Sequence, residues 1–181
     1  DIIAEKISEN QESRSQLRSL FESSAQIESR VVKKNQENGE KYRDYFAWQE
    51  PAAKAPSHRI LAMFRGESES FLSLSIKPPE EPALSLLNRK YIRTGPWQSE
   101  MIAAVSDGYT RLLGPSLENE LRSSLKTRAD EEAIAVFSAN LRELLLAPPL
   151  GRKRVLALDP GYRTGAKAVC LDEQGNLLDT D

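Results

Sequence analysis

The residues best suited to chemistry lie near the end of this sequence, in the string LALDPGYRTGAKAV, with Asp159 at its centre. A carboxylate that closes an apolar, β-prone run (RVLAL, Arg154 to Leu158) and precedes a Pro-Gly turn is held rigidly, its oxygens facing out. That placement suits a magnesium ion, which needs a fixed oxygen ligand, while Gly161 lets a phosphate approach the backbone. The same residues also read as a plain hairpin turn in which Asp159 caps backbone amides. Spacing alone leaves both readings open.

Cations surround this string. Arg152, Lys153 and Arg154 lead into it, and Arg163 and Lys167 follow in the hairpin. Two smaller clusters, Lys33 with Lys34 and Arg89 with Lys90 and Arg93, lie among acidic residues. A solvated surface is the default for such short clusters, and any phosphate binding through them is expected to be weak and salt-sensitive. His58 and Cys170 are the only His and Cys, so no zinc cluster can be built from this chain. His58 is expected to bond locally at a helix start, and Cys170 to be an inert thiol inside a strand. No dinucleotide fingerprint, P-loop or nucleophile elbow is present.

The elements that position these residues can be read from periodicity. The first 46 residues are charged, with apolar positions at helical spacing (Ile2, Ile3, Ile7; Leu17, Leu20, Phe21; Ile27, Val31), which predicts two or three short helices. Asn10 is the expected N-cap of the second. Pro51 to Ser57 reads as a connector, Ser57 as an N-cap, and Gly66 as the stop of a helix over 58–65. FLSLSI (Phe71 to Ile76) alternates strictly and predicts one half-buried strand with its Ser face toward solvent. Lys77 to Pro82 reads as a loop and Leu84 to Ile92 as a helix. Gly95-Pro96 and Gly114-Pro115 are helix-start signals. After the second, apolar residues spaced by four from Leu117 to Leu145 predict a helix of about thirty residues, a spine for shorter helices, ending before Pro148. Beyond Gly151, RVLAL, AKAVCL and the run from Asn176 read as three strands of an antiparallel meander, the first buried on both faces.

Length and charge bound the rest. The chain has 181 residues, enough for one domain or slightly more. Its 25 basic and 27 acidic residues give a net charge of −2, so no bulk positive field drives it onto a polyanion and any nucleic-acid contact must be local. No window approaches a membrane span, and one cysteine with no signal-peptide pattern argues for the cytoplasm. The chain starts inside a helical pattern and stops inside a strand, which reads as a piece of a longer protein.

LDPGYRTGAKAV resembles the first strand and hairpin of the ribonuclease H-like fold in YqgF domains and RuvC-type Holliday junction resolvases. Read with KYRDYF (Lys41 to Phe46), PSHRILAMFRGE (Pro56 to Glu67) and AIAVFSANLRELLLAPPLG (Ala133 to Gly151), the order is similar to the Tex family of bacterial transcription accessory proteins. The resemblance spans most of the chain. It implies a helical region with helix-turn-helix character, a YqgF-like domain, helix-hairpin-helix elements and an OB-fold RNA-binding domain, the last two absent here. Carried onto this sequence, Asp159 matches the first acidic position of the resolvase site, where several carboxylates hold two metal ions. Its partner acids would lie beyond Asp181, and Tex-like YqgF domains are generally thought not to keep a full nuclease set. Asp159 is then a vestigial or partial metal ligand.

The expected fold is mainly α with a small β component: a helical region over 1–151 with one small strand element, then the first strands of an α/β RNase H-like domain over 152–181. The expected function is a non-catalytic part of a Tex-like factor that binds RNA or DNA, with Arg152, Lys153, Arg154, Arg163 and Lys167 as contacts and the transcription machinery as a further partner. No cofactor is expected, magnesium belonging only to a complete parent domain. The competing readings are a metal-dependent nuclease and a pure scaffold. Open strand edges at Val155 to Leu158 or Ala168 to Leu171 are expected to invite self-association.

Overall fold

A computed structural model describes residues 2–161 and 165–181. The protein is mainly α with two small antiparallel sheets. It divides into two compact units, Asp1–Phe137 and Ser138–Asp181.

The first unit opens with α1 (Ile2–Glu9) and α2 (Gln11–Ser24). Asn10 caps α2 as its spacing predicts, its side-chain oxygen accepting from the Ser13 N–H at 2.9 Å. Two helices match the lower of the two expected counts, but not every apolar position lies in them. Ile27 and Val31, four apart, belong instead to strand β1 (Gln26–Val31). The true period is two, with Ser29 the buried residue between them, and its hydroxyl donates to the Tyr45 carbonyl at 2.7 Å. A buried hydroxyl with a partner costs little, so a polar letter sits at an inward position and disguises the strand.

After two 3₁₀ segments, Lys33–Asn35 and Glu37–Tyr45, comes β2 (Ala47–Pro51), then α3 (Ser57–Ser68) and β3 (Leu72–Lys77). FLSLSI is therefore one of three strands, ordered β2-β1-β3, rather than a lone one. Leu72, Leu74 and Ile76 are buried, and Ser73 and Ser75 face outward as the alternation predicts.

Gly66 does not stop α3. The helix continues to Ser68 and closes through Ser70 at φ +62°, with the Phe71 N–H bonding the Gly66 carbonyl and the Ser70 N–H bonding the Glu67 carbonyl, both at 2.9 Å. This is a Schellman closure with serine in the left-handed position. Gly66 is needed for space: a Cβ there would lie 2.6 Å from Leu72 Cδ1 and 3.2 Å from the Tyr42 ring. Ser57 is the first helical residue rather than the cap, and Pro56 precedes it in extended conformation.

The remaining helices are α4 (Glu80–Tyr91), α5 (Gln98–Asp107) and α6 (Gly114–Leu146). Helix α4 starts earlier than expected because Pro82 fits its first turn, where an N–H has no intrahelical partner. Between α5 and α6 the chain stays helical through a π-turn, Gly108–Leu113, in which the Gly114 N–H reaches back to Tyr109. Pro115 follows that widened turn, so the proline marks a change of pitch and not a break.

Helix α6 spans 33 residues, as the stripe predicts. Its buried residues are Leu117, Leu121, Leu125 and Ala129, which join Phe21, Ile27, Ile60, Met63 and Leu87 in the core. The stripe continues through Phe137 and Leu145, yet these are 66% and 76% exposed. The spine role thus belongs to the first half of the helix.

The second unit holds β4 (Val155–Gly161), β5 (Gly165–Leu171) and β6 (Leu177–Thr180), ordered β4-β5-β6. The meander is as read from the sequence, including the turn at Asp172, whose carboxylate accepts from the Gln174 and Asn176 N–H groups at 2.9 and 2.8 Å. Two expectations fail. Strand β4 is not buried on both faces, since Leu156 and Leu158 are 63% and 62% exposed. Ala168 to Leu171 is no free edge, because β5 pairs with β4 on one side and β6 on the other.

Candidate functional site

Asp159 lies in β4 directly across from Lys167 in β5, and register partners project their side chains to the same face of a sheet. Both residues are exposed, and the ammonium does not close onto the carboxylate as an ion pair. Arg152, Lys153 and Arg154 are exposed on the approach to β4. Arg163 lies outside the described residues. The site is therefore a solvated ribbon with one carboxylate set among cations. Among the described residues no three His, Cys, Asp or Glu side chains converge to form a metal site.

The surroundings of these cations differ from those of the first unit. Every ion pair among the described residues falls between Glu12 and Asp130. Arg14 and Arg18 share Glu120 at 2.5 and 2.8 Å, and Arg59 holds Glu50 at 2.7 Å. Lys90, one member of a basic cluster, is spent on Asn10 and Glu12 at 2.8 and 2.7 Å, which removes it from the phosphate candidates. Arg152, Lys153, Arg154 and Lys167 have no such partner among the described residues. From Arg152 to Lys167 the sequence carries five cations and one acid, Asp159.

His58 sits in the first turn of α3, and Cys170, half-buried, sits in β5 of the other unit. Residues of the strings KYRDYF and PSHRILAMFRGE pack and pair within the first unit. Lys41 lies over the Tyr42 and Phe71 rings and pairs with Glu69 at 2.5 Å, while Arg65 reaches the same carboxylate at 2.9 Å. Held by Lys41 first and Arg65 second, the Glu69 carboxyl titrates down to about 2 from an ordinary 4.5. Arg59 stacks on Trp48 at 4.9 Å, and Ile60 and Met63 are fully buried. Sequence reasoning missed Glu67, Glu118 and Arg122, whose partners lie far along the chain: the Arg122 guanidinium binds Glu67 at 2.6 Å across 55 residues. No local spacing announces such a contact.

Residues 1–137 match a protein family described as Tex central region-like. Over 99% of its length the chain is similar to an uncharacterized protein, YdcI, of Bacillus subtilis (40% identical, 26% of that protein). It is similar over the same share to transcriptional accessory protein Tex of Neisseria gonorrhoeae (38% identical, 25% of that protein). It is 28% identical, over 68% of its length and 13% of the other's, to human S1 RNA-binding domain-containing protein 1. The chain thus spans about a quarter of the length of its bacterial relatives. The matched residues coincide with the first compact unit.

Proposed function

Because the chain belongs to the Tex central region-like family, we propose that it is a nucleic-acid-binding, non-catalytic section of a cytoplasmic transcription accessory factor. The observation that carries this reading is the run of Arg152, Lys153, Arg154 and Lys167 on and beside β4 and β5, exposed and without ion-pair partners among the described residues. Unneutralised cations on an exposed ribbon attract a phosphate backbone. Such contacts position a strand without reading its bases. Two relatives carry names that point the same way, one to transcription and one to RNA.

In this reading Asp159, exposed across from Lys167 with no ion pair to it, is a solvated carboxylate within the ribbon and not a catalytic ligand. The reading needs no cofactor. Anisotropy of labelled single-stranded RNA and duplex DNA tests it, at low and moderate salt, with Arg152→Glu/Lys153→Glu in parallel. Binding that weakens with salt and with the double substitution is expected. Absence of binding at low salt would assign the piece to scaffolding. Incubation of the same labelled strands with magnesium is expected to leave them intact; cleavage lost in Asp159→Asn would reverse the non-catalytic assignment.

A further inference from the structure

Strand β3 is an edge of its sheet, and the register shows which of its backbone groups point away from β1. The Val31 N–H bonds the Phe46 carbonyl at 3.0 Å and the Ala52 N–H the Ala25 carbonyl at 2.9 Å, so odd-numbered residues of β1 bond toward β2. Its even-numbered residues therefore bond toward β3, to Ser73, Ser75 and Lys77, consistent with the Val32 N–H on the Phe71 carbonyl at 2.9 Å. Leu72, Leu74 and Ile76 are left with their N–H and C=O groups facing outward.

Side chains occupy that edge. Glu67 of α3 accepts from the Leu74 N–H at 3.1 Å, and Glu118 of α6 accepts from the Ile76 N–H at 2.7 Å. Arg122 of α6 donates to the Leu74 carbonyl at 2.5 Å. The three are tied together, Arg122 meeting Glu67 at 2.6 Å and Glu118 at 3.5 Å. All three side chains are mostly shielded from solvent. Acceptor, donor and acceptor stand where the carbonyl, amide and carbonyl of a neighbouring strand would stand.

We infer that Glu67, Arg122 and Glu118 form a side-chain surrogate for a fourth strand, which closes β3 to strand addition by a second copy of this chain. The segment that it guards needs guarding: FLSLSI is β-prone, uncharged and free of proline, the composition that pairs with its own kind when an edge is open. The opposite edge relies on other means. Strand β2 turns only the Ala47 and Gln49 N–H groups outward and ends at Pro51, which has none.

The test compares Glu67→Met/Glu118→Met with Glu67→Gln/Glu118→Gln in the 181-residue chain. Both pairs remove the same two charges and keep side-chain length, but only the glutamines still offer an oxygen to Leu74 and Ile76. Residue-resolved amide exchange and sedimentation are read across a range of concentrations. In the methionine pair, the Leu74 and Ile76 amides are expected to lose protection when dilute and regain it when concentrated, as the sedimenting species shifts from the parent's size toward twice that size. The glutamine pair is expected to match the parent. Loss of protection independent of concentration, with unchanged sedimentation, overturns the inference, as does association of the glutamine pair equal to that of the methionine pair. If the methionine pair unfolds, Glu118→Met alone, which leaves Glu67 on Arg122, is read at Ile76 by the same criteria.

Discussion

Single residues carry conformational and ionic commitments that can be measured separately. Ser70 holds a left-handed backbone at φ +62° without the freedom of glycine. Ser70→Gly is expected to raise stability by about 1 kcal/mol, the cost of that conformation for an ordinary residue, seen as a higher denaturant midpoint with unchanged slope. Gly66→Ala four positions earlier is expected to lower it by about 1 to 3 kcal/mol, because the added methyl meets Leu72. Glu69 makes a claim about pH. Its carboxyl is depressed to about 2 by Lys41 and Arg65, so its contribution is present above the unfolded value near 4.5 and is lost as pH falls toward 2. The melting temperature of Glu69→Gln should therefore lie below the parent's at neutral pH and converge with it near pH 2. Sequence made Asn10 legible, since a cap and its target are three residues apart. It hid Ser29 and Glu67, because what satisfies each of them lies elsewhere in the chain.

At the level of elements, α6 separates pattern from environment. Its apolar stripe runs without interruption from Leu117 to Leu145; the periodicity predicts the helix, and Pro148 and Pro149 set its end. Periodicity says that a face exists, not that something covers it. Leu117→Ala should cost about 2 to 5 kcal/mol, the range for a buried leucine whose cavity relaxes only partly. Phe137→Ala on the same stripe should change the stability of this chain by no more than about 0.5 kcal/mol, as at other exposed positions. Chemical denaturation of the two variants side by side checks the contrast, and equal losses would place the end of the core beyond Ala129. The strands show the converse. FLSLSI and the meander were legible because alternation and turn residues are local, whereas QIESRV and AWQEP escaped notice because their pairing, not their composition, makes them strands.

For the whole molecule, charge is segregated along the chain. Residues up to Asp130 satisfy most of their cations internally, while the run from Arg152 to Lys167 carries five cations against the single acid Asp159. A single strand held by all five would show a slope of log affinity against log salt near −3.5, at roughly 0.7 per phosphate contact. Arg152→Glu/Lys153→Glu should flatten it by roughly 1.4 or more by the same rule, and an unchanged slope would move the contact surface elsewhere. The segregation also bears on how the protein behaves on a column. With a sequence pI near 5.7 and a net charge of −2, the chain ought by its average to pass through a cation exchanger at pH 7. A resin meets the nearest surface and not the sum, so retention on a sulfonated or heparin matrix at that pH is the expected chromatographic signature of the unpaired ribbon, and the isoelectric point is a poor guide to handling the protein.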